Sequence, residues 1–180
     1  MPRLKQVGTD EGSALTNKLL KRVGESMGIV PNMFKCMGSS EMALDGFMAM
    51  NGSLGAGSLG GKYMKMVVLA TSELNNCIYC ASAHTQLAKN AKLLTDEECA
   101  NARRCIGTDD KSQAMLDFVK KVHKSKGRVA DKDIQAVRKA GFGDAEIVEM
   151  LGTMSLITFA NYISNVAEPD LDFPEAPKVS

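Results

Sequence analysis

Apolar side chains recur along this chain at helical intervals, and no stretch alternates apolar and polar positions between hairpin turns, so the pattern predicts an all-α protein. Ser13 caps a predicted helix running to about Met27, and Gly28 and Pro31 lead into a short segment around Phe34. Ser40 caps a second helix to about Met50, with Met42, Leu44, Phe47 and Met48 as packing positions. Asn51 to Gly61 holds five glycines in eleven residues and reads as a flexible connector. Helical spacing returns over Lys62–Leu74, in Tyr63, Met66, Val67, Leu69 and Ala70. Asn75 and Asn76 mark a break and are expected to cap the next helix, from Cys77 to about Asn90.

Thr95 and Glu98 form a predicted capping box at the head of a helix to about Cys105. Further helices are expected over Lys111–Lys126, with Gly127 as stop, and over Asp131–Ala140 before Gly141. Asp144 is expected to cap a long final helix to about Val166. Pro169, Pro174 and Pro177 give an extended tail over residues 168–180. With no fixed-period repeat or change of composition, the expectation is one helical bundle with its core at about 13–167. Met150 to Ala167 runs eighteen residues without a charge, the lower length for a membrane span, but seven of them are Gly, Ser, Thr or Asn. Such a helix suits a protein core or a subunit contact, so no membrane association is expected.

The 180-residue length fits one domain, and 44% hydrophobic with 24% charged residues excludes disordered and fibrous classes. A net charge of +1 supplies no field for binding nucleic acid. Five cysteines, an odd number, and an amino terminus without an apolar run point to a reducing, cytoplasmic setting. There, a close cysteine pair signals catalysis or metal binding more often than a structural staple.

Gly55, Gly57 and Gly60 have the GxGxxG spacing, but they follow a helical segment rather than a strand, which argues against a dinucleotide cradle. The neighbouring Gly61-Lys62 fails as a P-loop because Ala56 and Tyr63 occupy required positions. The segment from Glu73 to His84 is different. Cys77, Cys80 and His84 fall at i, i+3 and i+7 and share one helical face. Near a helix amino terminus, unpaired N–H groups and the helix dipole favour thiolate, and an imidazole one turn on can move a proton. Three readings follow: a redox-active thiol pair, three ligands of a structural zinc site completed by His123, Cys99 or Glu73, or simple packing. Cys36, Cys99 and Cys105 read as packing residues, and the twelve methionines as adaptable core. Tyr79, between the two cysteines, is expected to shape the thiol pocket.

The run Val67–Cys80, followed by Ala83-His84-Thr85, resembles the alkylhydroperoxidase D-like branch of the carboxymuconolactone decarboxylase superfamily, particularly its peroxidase-related members. Val30–Phe34, Ala140-Gly141-Phe142 and Glu146-Ile147 share the likeness. The resemblance implies an all-helical fold of that type and assembly into trimers or hexamers. It implies no organic cofactor and a thiol-dependent peroxidase or disulfide reductase acting on hydroperoxides in antioxidant defence. An external dithiol or peroxiredoxin-type partner would supply the electrons. By that similarity Cys80 attacks the peroxide, Cys77 resolves the sulfenic acid and His84 belongs to the proton relay. Local physics points the other way on the sulfurs, since Cys77 lies nearer the helix start. The family's relay glutamate, twelve residues before the first cysteine, is Lys65 here, and Glu73 is the candidate substitute. The superfamily's other branch suggests a decarboxylase-like alternative, with His84 as acid or base.

Overall fold

The computed structural model describes residues 2–179, among which there are nine helices and no strand. The elements are α1 (Ala14–Met27), α2 (Asn32–Met37), α3 (Glu41–Gly55), α4 (Gly61–Leu74), α5 (Ile78–Asn90), α6 (Asp96–Arg103), α7 (Asp110–Ser125), α8 (Asp131–Lys139) and α9 (Asp144–Ala167). Local capping chemistry sets several boundaries. Ser13 and Ser40 accept from the backbone N–H groups of Thr16 and Ala43, and Thr95 and Glu98 close the expected box.

Helix α4 is the axis of the molecule and packs on α5, α6, α7 and α9. Its residues Met66 to Ser72 are all buried, so it serves both hydrophobic clusters. One cluster gathers Met66, Val67 and Leu69 with α6, α7 and the first half of α9. The other joins Val68 to α1, α2, α3, the second half of α9, and the side chains of Cys77, Tyr79 and Cys80. The thiol segment therefore belongs to a packed core, where the rotamers of its side chains are fixed by neighbours.

Three local expectations are corrected. Helix α3 continues to Gly55, so only residues 56–60 connect it to α4. Leu54 packs closely against Gly152 of α9, and this tertiary contact overrides the glycine content, at about 1 kcal/mol per helical glycine. The cap of α5 is Cys77 itself, while Asn76 takes the left-handed turn before it at φ 53°. The cap of α9 is Gly143, and Asp144 is the first helical residue; Glu146 reaches back to accept from the Gly143 N–H at 2.6 Å. The glycine connector is no phosphate cradle, because the Ser58 and Leu59 N–H groups already donate to Glu149, at 3.1 and 2.7 Å.

Helix α9 is long and apolar enough for a membrane span by length and composition alone, yet half of that stretch is buried inside the protein. Its exposed face carries Val148, Leu151, Phe159, Tyr162 and Val166. The tail after α9 has no helix but is tied down rather than merely laid on the surface. The Asn32 backbone N–H donates to Asp172 at 2.8 Å, the Ala176 N–H donates to Ser82 at 2.9 Å, and Arg103 donates to the Pro177 carbonyl at 2.7 Å.

Candidate active site

The α4–α5 turn brings the two cysteines together. Cys77, at the N-cap, accepts the Cys80 backbone N–H at 3.3 Å, so its sulfur sits over the positive end of α5. All five cysteines are free thiols. The Cys80 thiol donates to the Cys77 sulfur, and this bond, more than any other contact, lowers the Cys77 pKa and raises that of Cys80. Burial pushes both upward, and Ser164 and Asn161 of α9 offset part of that for both. Ser164 Oγ stands 3.6 Å from Cys80 Sγ. Cys77 is thus the more acidic sulfur of the pair and Cys80 the one that keeps its proton, and the two titrate as a unit.

The two sulfurs differ in access. A cavity of about 140 Å³ opens beside α5 and is lined by Cys80, His84, Lys65, Asn51, Tyr79 and a wall of apolar side chains. Cys77 is not in the lining and is only 1% exposed. Tyr79 carries its ring into the cavity wall and its hydroxyl away from it: the hydroxyl donates to Asp172 in the tail and accepts the Met33 N–H at 3.1 Å. Burial and the Asp172 carboxylate raise the Tyr79 pKa, so the phenol stays protonated.

Lys65, on α4, donates from Nζ to His84 Nδ1 at 3.2 Å. Burial, with the Lys65 charge second, pulls the His84 pKa well below its ordinary value, so the imidazole is neutral and its other nitrogen carries the hydrogen. Burial also lowers the Lys65 pKa. Cys80, His84 and Lys65 therefore share one cavity, and Cys77 stands directly behind Cys80. Glu73 is elsewhere. Its carboxylate is paired with the buried Arg103 at 2.8 Å and does not line the cavity. Cys36, Cys99 and Cys105 are buried, and desolvation raises their pKa values, as suits packing residues. Among the described residues, no three His, Cys, Asp or Glu side chains are arranged to hold a metal, which argues against the zinc reading of Cys77, Cys80 and His84.

Sequence reasoning missed Asp172, Phe173, Ser164 and Asn161. The one available signal was the presence of Asn161 and other polar residues in the otherwise apolar α9. Asn161 accepts from Asn75 at 2.9 Å and donates to Ser72 at 3.3 Å, tying α9 to the turn that presents the thiols.

This architecture is that of the alkylhydroperoxidase D-like proteins. A peroxidase-related protein from Ralstonia eutropha JMP134, an alkylhydroperoxidase AhpD core, superposes with a TM-score of 0.84 at 24% identity, over 95% of this chain and 92% of its own. A peroxidase-related protein from Silicibacter sp. TM1040 gives 0.78 at 21% identity, over 93% and 92%. The debrominase Bmp8 gives 0.77 at 13% identity, over 94% and 92%; at such identities the likeness speaks for the fold alone. Residues 42–121, which contain α4, α5 and the thiol pair, match the model of the carboxymuconolactone decarboxylase family. The fold is thus that of the alkylhydroperoxidase D-like proteins, and the match to the carboxymuconolactone decarboxylase family model covers the segment that carries the thiol motif. No curated protein matches it in sequence.

Proposed function

We propose that the protein is a thiol-dependent peroxidase that reduces hydroperoxides with the Cys77/Cys80 pair. The observation that carries this reading is a hydrogen-bonded pair of free thiols, one of which faces a cavity large enough for a small organic molecule. Cys80 is the attacking sulfur, because a substrate in the cavity meets it first. The Cys77 thiolate takes the Cys80 proton as Cys80 attacks the terminal oxygen of the hydroperoxide. An S–O bond forms, the O–O bond breaks, and the departing alkoxide takes a proton, leaving Cys80 as sulfenic acid. The N–H of neutral His84, whose ring is oriented by Lys65, gives the alkoxide its proton, and the proton taken by Cys77 passes back to His84, which leaves Cys77 a thiolate again. The Cys77 thiolate then displaces hydroxide from the sulfenic acid to form the disulfide, which an external dithiol or a peroxiredoxin-type partner reduces. This route has no need of Glu73, which is the ionic partner of Arg103.

The setting is a reducing cytoplasm, without bound cofactor, nucleic acid or membrane. The exposed apolar stripe of α9 supports assembly with further copies of the chain. The test is reductant-coupled hydroperoxide turnover. Cys77→Ser and Cys80→Ser should each abolish it, and a double variant turning over at the wild-type rate would end the proposal.

A further inference from the structure

Lys65 is a cation without a counter-ion. Among the described residues, none of the ion pairs includes it, and no acidic side chain lines the cavity it enters. Its one polar contact is His84 Nδ1, which leaves two N–H donors unused. Asp172, the tail carboxylate next to the cavity-lining Phe173, is already held by the Tyr79 hydroxyl and the Asn32 N–H. Apart from Asn51, Tyr79, Cys80 and His84, the rest of the cavity lining is apolar, with Phe34, Phe47, Met33, Leu87 and Phe173 among it, and suits a compact apolar body. An ammonium in such surroundings is costly unless an anion joins it.

We propose that this cavity binds a compact apolar molecule carrying one carboxylate, an acid-bearing organic hydroperoxide, with the Lys65 ammonium holding the carboxylate. The substrate class rests on the thiol-peroxidase reading, whereas the anion pocket does not. The hydroperoxide end faces Cys80 and the carboxylate faces Lys65, so the charge fixes which end of the molecule meets the sulfur. Neutral His84 completes the arrangement, since a second cation there would repel Lys65. Hydrogen peroxide, which has neither an apolar body nor a carboxylate, gains nothing from these walls.

The experiment uses two matched pairs of probes. In the first, the reduced protein is titrated calorimetrically with cumyl alcohol and with its para-carboxylate, neither of which oxidises a thiol. The carboxylate should bind at least about tenfold more tightly, as expected for one charge-assisted contact in a largely apolar cavity. Lys65→Met should erase the difference. Equal binding of the two probes by the wild-type protein overturns the proposal whatever Lys65→Met does to folding, as does a preference that survives in a folded Lys65→Met protein. In the second, turnover of cumene hydroperoxide is compared with that of its para-carboxylate derivative, and kcat/KM should favour the acid by a similar factor. If the acid probe binds preferentially but neither peroxide is turned over, the anion pocket stands and the peroxidase reading falls.

Discussion

At the scale of single residues, the chemistry rests on a division of labour between the two sulfurs. Position at the helix start and the hydrogen bond from Cys80 make Cys77 the better thiolate, and the cavity makes Cys80 the accessible one. Cys80→Ala removes the thiol that stabilises Cys77, so the Cys77 pKa should rise towards the ordinary thiol value; ultraviolet thiolate absorbance against pH measures it, and an unchanged value would refute the coupling of the two thiols. Two other residues set the pH limits of stability. The folded Tyr79 pKa is raised, so its contribution is complete below the unfolded tyrosine value of about 10 and is lost as pH rises beyond that. The folded His84 pKa is depressed, so stability is lost as pH falls below the unfolded histidine value of about 6.5. Denaturant unfolding across pH should fall off at both ends. Tyr79→Phe should flatten the alkaline limb while costing about 1–3 kcal/mol at neutral pH, because the Met33 N–H and Asp172 lose a partner.

At the scale of elements, the site is the start of α5, set by the α4–α5 turn and roofed by the tail. Phe173 lines the cavity between anchors at Asp172 and Ala176, so it limits the size of what can reach Cys80. Phe173→Ala should lower stability by about 1–3 kcal/mol, less than for a fully buried phenylalanine, and raise turnover of bulky hydroperoxides relative to small ones. Steady-state comparison of two hydroperoxides differing in bulk checks this, and an unchanged ratio would remove the tail from the specificity argument. Elements with local determinants were legible in the sequence. Ser13, Ser40 and the Thr95/Glu98 box act within a few residues, and the i, i+3, i+7 spacing of Cys77, Cys80 and His84 is a property of one helix. The overrun of α3 was not legible, because packing of Leu54 on Gly152 decides it across nearly a hundred residues. Asp172, Phe173 and Ser164 were hidden for the same reason. The Arg103 partner of Glu73 also lies thirty residues away, so the carboxylate's engagement could not be read from its place four residues before Cys77.

For the whole molecule, α9 links site and surface. Its inner face supplies Asn161 and Ser164 to the thiols, and its outer face repeats Val148, Leu151, Phe159, Tyr162 and Val166 at the intervals of a helix-packing seam. The proposed occupant of this stripe is a second copy of the chain, since an exposed apolar helix face is the kind of surface that self-association would cover. Light scattering should find an oligomer for the wild-type chain and a smaller species for Tyr162→Glu. A monomeric wild-type chain would contradict that assembly.

The central claim is that the cavity-facing sulfur reacts first and the capping sulfur resolves it. The most direct test exposes Cys77→Ser and Cys80→Ser to one equivalent of hydroperoxide in the presence of a sulfenic-acid trap such as dimedone, then locates the adduct by mass spectrometry. The account predicts an adduct on Cys80 in the Cys77→Ser protein and none on Cys77 in the Cys80→Ser protein. The reverse pattern, or no adduct in either, would contradict it.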